Sequence, residues 1–260
     1  MVHFNVPDVV STVDELILLK TSNPHVLFIS YDGMTDPLGQ SQVIPYLQGL
    51  TANGFKITIL SCEKSEVYKS NKAAIDKLLK QSGINWAPIM YTKRPPVLST
   101  LYDIYNLKRK AKEIYSDHPY QMVHTRPGIP ALVGRWLKKQ YNIAFLNDIR
   151  EFYADSRVDG RMWDQSSALY RRIYHYFKSQ ELKQVKQSDG IVCLTQAAEA
   201  IIKKWPEYDH NVPLEVIPCS ADLDLFDPSK IDSTQKTAYR QRLNIKDDDF
   251  IITCLGSIGG

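Results

Sequence analysis

Three short stretches gather the residue types that bind anions and hydroxyl groups. The first, YDGMTDPLGQSQ (31–42), sets two Asp, two Gly and a Pro between an apolar run and a segment of helical spacing. Glycine has no Cβ to keep a ligand away from backbone N–H groups, and a helix start adds the positive end of its dipole. Gly39 and Gln40 stand where a phosphate or a sugar hydroxyl would meet both. The same spacing also describes an ordinary strand-to-helix turn, and residue types alone leave the two readings level.

The second stretch is VHTRPGIPAL (123–132). His124 could act as a base or donate a hydrogen bond, and Arg126 could pair with a phosphate. A lone histidine beside apolar residues also reads as a satisfied core histidine. The third, FLNDIREFYADSRVDGRMWDQ (145–165), places Asp148, Arg150 and Glu151 directly after an apolar run, with Asp155, Arg157 and Asp159 beyond. Carboxylates and guanidinium groups beside Tyr153 and Trp163 suit a polyhydroxyl ligand. An internal ion-pair network holding down a long loop is the competing reading.

Several chemistries find no motif. GxGxxG and GK[ST] are absent, which argues against a simple dinucleotide or ATP loop. There is no HExxH, HxxxH or carboxylate cluster for a catalytic metal, and no GxSxG for a serine hydrolase. A formal net charge of +3 over 260 residues does not point to nucleic acid. Cys62, Cys193, Cys219 and Cys254 form no CxxC pair. The last three sit in strand-like runs and Cys62 begins a loop, so they read as small hydrophobes in a reducing compartment. No run approaches the length of a membrane span, and the first twenty residues lack a basic start and a cleavage site. The expected location is the cytoplasm.

The elements that must position these residues alternate from residue 25 onward. Strand-like runs fall at 25–30, 55–62, 84–90, 120–125, 143–148, 190–195 and 214–219. In 40–53, Val43, Tyr46, Leu47 and Leu50 make one apolar helix face, and Gly54 follows as a stop. Segment 99–115 lines up Leu101, Ile104, Leu107, Ala111 and Ile114; segment 167–187 sets Leu169, Ile173, Tyr176, Phe177 and Val185 inward. Near-continuous apolar strands alternating with helices predict an α/β fold, a doubly wound parallel sheet of Rossmann type. KRPPV (93–97) reads as a stiff connection.

Beyond a polar helix near 233–243, DDDFIITCLGSIGG reads as a turn, a new strand and a glycine-rich loop with no helix after it. The expected division is an N-terminal extension (1–24), a Rossmann-like domain (25–245) and the opening of a second domain (246–260).

Five segments in order, DPLGQSQVIPYLQGLTANGFKITILS, VHTRPGIPALVG, NDIREFYADSRVDGRMW, SDGIVCLTQAAEAII and VIPCSADLDLF, resemble the N-terminal half of family 4 glycosyltransferases. The likeness runs from about residue 25 to the end. Each motif is weak alone, and their order is what makes the signal specific. The family implies a retaining enzyme of the GT-B fold, in which two Rossmann-like domains face a cleft. It implies sugar transfer from a nucleotide-diphosphate sugar to a glycan or lipid-linked acceptor, with no tightly bound metal and no cofactor. The acceptor would attack from the face the leaving diphosphate departs, and that phosphate would help remove its proton. LGSIGG resembles the first strand and glycine loop of the family's C-terminal domain, which would put Gly256, Gly259 and Gly260 on the donor side. Gly39, Gln40, His124, Arg126, Asp148, Arg150 and Glu151 would then face the acceptor or the phosphates.

Two departures from the family matter. Many members carry His-x-His after the fourth strand; here His124 is followed by Arg126. Arginine does not serve as a base near neutral pH, so no general base is assigned. The family's paired Glu and basic diphosphate-binding residues belong to a C-terminal domain not found in these 260 residues, so the chain alone is expected to be inactive. A nucleotide-sugar epimerase or a phosphorylase-like protein shares the architecture without this motif combination. The remaining alternative is a non-catalytic module that binds glycan or a partner. Acceptor choice is expected to rest on loops at 62–70, 91–99 and 150–166. Lys108, Arg109, Lys110, Lys112, Arg135, Lys138 and Lys139 on two predicted helices suggest peripheral contact with anionic lipid at the inner face of the membrane, or simply a solvated charged face.

Overall fold

Residues 26–29 read Val-Leu-Phe-Ile, and all four side chains are buried. Val26 and Phe28 join one apolar cluster, Leu27 and Ile29 another, because successive side chains of a strand point to opposite faces. A strand buried on both faces belongs at the centre of a covered sheet. In the computed structural model, which describes residues 23–220, 223, 226–246 and 248–253, that is where it lies.

Strand β1 (His25–Ser30) pairs in parallel with β2 (Lys56–Glu63) on one side and β4 (Met122–Thr125) on the other. Strand β3 (Asn85–Met90) lies beyond β2; β5 (Ala144–Ile149), β6 (Gly190–Cys193) and β7 (Leu214–Val216) continue beyond β4. The order is β3-β2-β1-β4-β5-β6-β7, parallel throughout. Between the strands run α1 (Ile44–Ala52), α2 (Ser65–Gln81), α3 (Leu98–Asp117), α4 (Ile129–Tyr141), α5 (Tyr153–Asp159), α6 (Ala168–Gln187) and α7 (Gln196–Ile202). Helices α1 and α2 cover the Val26 and Phe28 side; α3, α4 and α6 cover the Leu27 and Ile29 side. Each fully buried Leu or Ile contributes about 1.5–3 kcal/mol.

The expected doubly wound sheet is therefore formed. Helix α1 is headed by a π-helical turn, Gly39–Val43, and the chain leaves it through Gly54 at φ +93°, the left-handed conformation expected of a stop. Several expectations need correction. Leu101 of α3 is 57% exposed, and Leu169 and Tyr176 of α6 are exposed too. The buried line of α3 is Ser99, Asp103, Leu107 and Ala111; that of α6 is Phe177, Gln180, Glu181, Gln184 and Val185. Leu107, Ala111, Phe177 and Val185 are buried as expected, and Ile104, Ile114 and Ile173 pack against the core. Polar residues take the remaining inward positions, which apolar spacing alone gave to Leu101, Leu169 and Tyr176. Cys62 is buried inside β2, whereas Cys219 lies past the end of β7 and is exposed. The stretch 62–70 is not a loop: β2 reaches Glu63 and α2 begins at Ser65.

Contacts separate a second unit from Ser220 onward. It contains a 3-10 turn, Pro228–Lys230, and helix α8 (Ser233–Arg242), whose N-cap Asp232 accepts from the Thr234 amide at 2.9 Å. The strand expected in this unit is not formed over 250–253. Phe250, Ile251 and Ile252 are exposed, and no strand is present among the described residues of the unit to pair with them. Gly256, Gly259, Gly260 and Cys254, with nearly all of the expected N-terminal extension, lie outside the described residues.

Gly134 sets how closely α4 approaches the sheet. A Cβ there would lie 2.6 Å from Thr125 Cγ2 and 2.8 Å from Phe145 Cε2. Gly134→Ala is expected to lower stability by about 1–3 kcal/mol in urea titration, although alanine is the better helix former. An unchanged or raised midpoint would show that this contact does not set the spacing.

Candidate functional site

The chain adds strands outward from β1 to β3, then crosses back to place β4 on the other side of β1. Loops leaving β1 and β4 therefore diverge, and a crevice opens between them at the carboxyl ends of the strands. Tyr31 and Asp32 after β1, Arg126 and Pro127 after β4, Arg150 and Glu151 after β5, and Leu194 after β6 line this cleft of about 440 Å³. Leu38 and Gln42, Tyr153 and Arg157 of α5, and Cys219 complete it.

The loop after β1 is held from below by Glu63. Its Oε1 accepts from the Met34 amide (2.7 Å) and Ser61 Oγ (2.6 Å); its Oε2 accepts from the Thr35 amide (3.2 Å) and Thr35 Oγ1 (2.5 Å). Glu63 is fully buried, and among the described residues no cation pairs with it. The head of α1 then rests on the anchored turn. A Cβ on Gly39 would lie 2.2 Å from Gly33 O and 2.7 Å from Met34 Cα. Gly39 is therefore required by a backbone-to-backbone approach within the chain, and it does not line the cleft. Gln40 is also turned to the loop, its Nε2 donating to Thr35 O at 2.8 Å. Leu38 and Gln42 are the residues of this segment that reach the cleft.

His124 and Asp148 lie beneath the cleft floor. The His124 ring packs edge-on against Phe28 (4.8 Å) and Tyr46 (5.9 Å), with Nε2 3.4 Å from Asp148 Oδ2. It is a core histidine. Asp148 Oδ1 lies 2.7 Å from Arg150 Nε, and Arg150 Nη1 donates to Ile217 O at 3.4 Å. Burial works to raise the Asp148 carboxyl, but His124 and then Arg150 outweigh it and hold the group below the ordinary aspartate value. Glu151 accepts from Ser156 Oγ (2.5 Å) and pairs with Arg157 (3.4 Å).

Arg126 differs from these. It is 9% exposed and its amide donates to Ile29 O, yet its guanidinium makes no hydrogen bond or salt bridge among the described residues. Asp32 is the carboxyl that feels it: burial raises the Asp32 group, and Arg126 partly offsets the rise. The expected sugar-stacking aromatics are used within the fold. Tyr153 covers Gly128, where a Cβ would meet its ring at 2.4 Å, and Trp163 packs on Tyr153 and Phe177. Of the basic helix residues, Arg109 and Lys110 pair with Glu113, Lys138 with Asp189, and Lys108 lies over Trp136.

The cleft thus offers guanidinium groups of Arg126, Arg150 and Arg157 beside two carboxyls, with no histidine among its described lining. That arrangement suits binding of an anion with hydroxyl-bearing neighbours. Of the residues singled out in the sequence, Arg126, Arg150 and Glu151 line this cleft. Sequence reasoning missed Asp32 and Gln42, and it passed over Glu63, which stood out only as a lone acid closing an apolar strand.

The seven-stranded parallel sheet covered by helices defines a Rossmann-like α/β fold matching that of GT-B glycosyltransferases. No protein-family model and no curated protein matches the sequence. Among solved structures, a glycosyltransferase from Rickettsia africae is similar at 15% identity and TM-score 0.54, over 88% of this chain and 51% of that one. Sucrose-phosphate synthase from Thermosynechococcus elongatus is similar at 15% identity and TM-score 0.57, over 87% and 54%. HepE from Anabaena, in complex with UDP and glucose, is similar at 13% identity and TM-score 0.52, over 85% and 50%. The chain spans about half the length of these structures.

Glu63→Gln would turn one acceptor oxygen into a donor facing other donors. The expected loss is about 1–3 kcal/mol in urea titration, with faster hydrogen exchange at the Met34 and Thr35 amides; unaltered exchange there would remove Glu63 as the anchor. Asp148 supplies a pH test. A carboxyl held low when folded stabilises fully above the ordinary aspartate range, and this is lost as pH falls through its folded value. The stability gap between the chain and Asp148→Asn should be full at pH 7 and shrink from about pH 4 downward. A gap of equal size at both ends would refute the pairing.

Proposed function

We propose that this chain is the acceptor-side, N-terminal half of a retaining glycosyltransferase, resembling family 4. With a donor-binding half it would move a hexosyl group from a nucleotide-diphosphate sugar to a glycan or lipid-linked acceptor. The observation that carries the reading is Arg126, a nearly buried cation without a hydrogen-bonding partner among the described residues, placed at the switch point of the sheet. The Arg126 guanidinium opens on the cleft, where a bound anion would form a charge-assisted pair with it. The neighbour crystallised with UDP and glucose supports a diphosphate as that anion.

In this reading Arg126 meets the leaving diphosphate, and Arg150, fixed by Asp148, adds positive potential near it. Asp32 and Glu151 orient acceptor hydroxyls. Preorganised charge of this kind stabilises the transition state without a protein base. No resident metal or cofactor is assigned to the reaction. The proposed division keeps 25–245 as the acceptor-side domain and 246–260 as the opening of the donor-binding domain. The reaction is placed in the cytoplasm, at the inner face of the membrane for a lipid-linked acceptor. No described helix is long and apolar enough to cross a membrane.

A second reading, a non-catalytic glycan- or partner-binding module, draws on one observation: the histidine that could have served as a base is in the core. Release of nucleoside diphosphate from a panel of nucleotide sugars separates the two. The 260 residues alone should be silent, and the complete gene product should release from one donor, faster with one acceptor. Arg126→Ala in that product should lower kcat/KM by about 10²–10³. Turnover by the 260 residues alone would overturn the half-site assignment. Unchanged transfer by the variant would take Arg126 out of the chemistry, and silence of the folded complete product would favour the binding module.

A further inference from the structure

The first turns of α3 are built inside out. Ser99 and Asp103 face inward, while Val97, Leu98, Leu101, Tyr102 and Tyr105 are exposed. The inward polar residue has a reason: Asp103 Oδ2 accepts from Tyr31 Oη at 2.7 Å and from the Thr92 amide at 3.2 Å, tying α3 to the ends of β1 and β3. The outward residues have none within the fold. They recur at i, i+3, i+4 and i+7 from Leu98, a full apolar helix face turned to solvent. Across from them, Met162 and the exposed Leu169 and Tyr176 of α6 continue the same character. An open groove of about 450 Å³ runs between the two sides, with Trp163 and Ile173 in its wall.

The rim is cationic. Stretches 91–105 and 161–176 carry Lys93, Arg94, Arg161, Arg171 and Arg172, all exposed, against one exposed acid, Asp164. Among the described residues none of the five has a carboxylate within salt-bridge distance. An apolar face with tyrosines at its edge and basic residues around it matches the boundary between lipid chains and anionic headgroups. Arg171 Nη1 donates to the Gln165 and Ser166 carbonyls, which leave its charge unneutralised. On the α3 and α4 helix bodies, by contrast, Arg109, Lys110 and Lys138 are paired with Glu113 and Asp189.

We propose that the face formed by the start of α3 and the start of α6 docks on an anionic membrane surface, with Leu98, Leu101, Tyr105 and Tyr176 in the interface and Arg171 and Arg172 on the headgroups. This deepens the lipid-linked-acceptor reading, and vesicle binding can be scored whether or not sugar transfer is detected.

The test is sedimentation of the chain with phosphatidylcholine vesicles and with vesicles that also contain phosphatidylglycerol. Binding is expected only with phosphatidylglycerol present. Leu101→Ser with Tyr105→Ser, and separately Arg171→Ser with Arg172→Ser, should weaken it at least about tenfold. Far-UV circular dichroism should be unchanged, since all four side chains are exposed. Lys112→Ser with Lys139→Ser should bind as the unaltered chain does. In the unaltered protein, brominated phosphatidylglycerol should quench a fluorescence component that disappears in Trp163→Phe. The proposal is overturned by absence of binding to anionic vesicles, by equal binding to neutral ones, or by loss of binding only in the Lys112 and Lys139 variant. It is also overturned if the α3 variant abolishes a concentration-dependent dimer while vesicle binding persists, which would make a second copy the occupant.

Discussion

A buried carboxylate whose oxygens are taken by amides and hydroxyls holds the upper part of this domain in place. Glu63 is fully buried, and two amides and two hydroxyls donate to its oxygens. Burial of such a group is tolerated only when its lone pairs are filled, so the turn at Met34 and Thr35 is fixed wherever Glu63 is. That turn is the seat on which Gly39 rests, and Gly39 begins the helical segment carrying Gln42 to the cleft and Tyr46 to His124. One strand-end side chain thereby sets the position of a loop, a helix head and part of the cleft wall.

Two arginines show how the same side chain can be spent or held open. Arg150 is committed to Asp148 and to the carbonyl of Ile217, and through Asp148 it is coupled to His124. Its charge shapes the cleft floor, with Nε beside Asp148 and Nη1 on the Ile217 carbonyl. Arg126 sits one strand nearer the point where the strand order reverses, and among the described residues its guanidinium makes no hydrogen bond or salt bridge. Beside it in the cleft wall, Tyr153 closes over Gly128, and Arg157 lies 4.4 Å above the Tyr153 ring.

Periodicity made the sheet legible, because β1, β2 and β5 each carry buried apolar residues and are separated by segments of helical spacing. The same periodicity failed where inward positions are polar. Ser99 and Asp103 on α3, and Gln180, Glu181 and Gln184 on α6, are buried. Asp103 accepts from Tyr31 Oη and the Thr92 amide, and Glu181 accepts from the Ala154 amide and pairs with Lys178, which spacing cannot report. The sequence reads Gly39 as giving a ligand access to backbone N–H groups, whereas what presses on it is the chain's own backbone. Of the polar residues at the strand ends, Arg126, Arg150 and Glu151 reach the cleft, whereas His124 and Asp148 turn inward. Residues one or two positions apart diverge in this way as a strand ends, and direction at that point depends on the neighbouring strands.

The sheet order also has a consequence in time. Val26 in β1 pairs with Met122 in β4, although β2 and β3 are made in between. The cleft wall runs from Tyr31 to Cys219, so it can close only after nearly the whole unit has been synthesised. Pairings so distant along the chain are slow to form. A nascent chain halted before β4 would carry β1 with one edge bare and no recess at all. Ligand-binding competence and completion of the sheet would then arrive together, and whatever fills the cleft would meet only molecules that have finished folding.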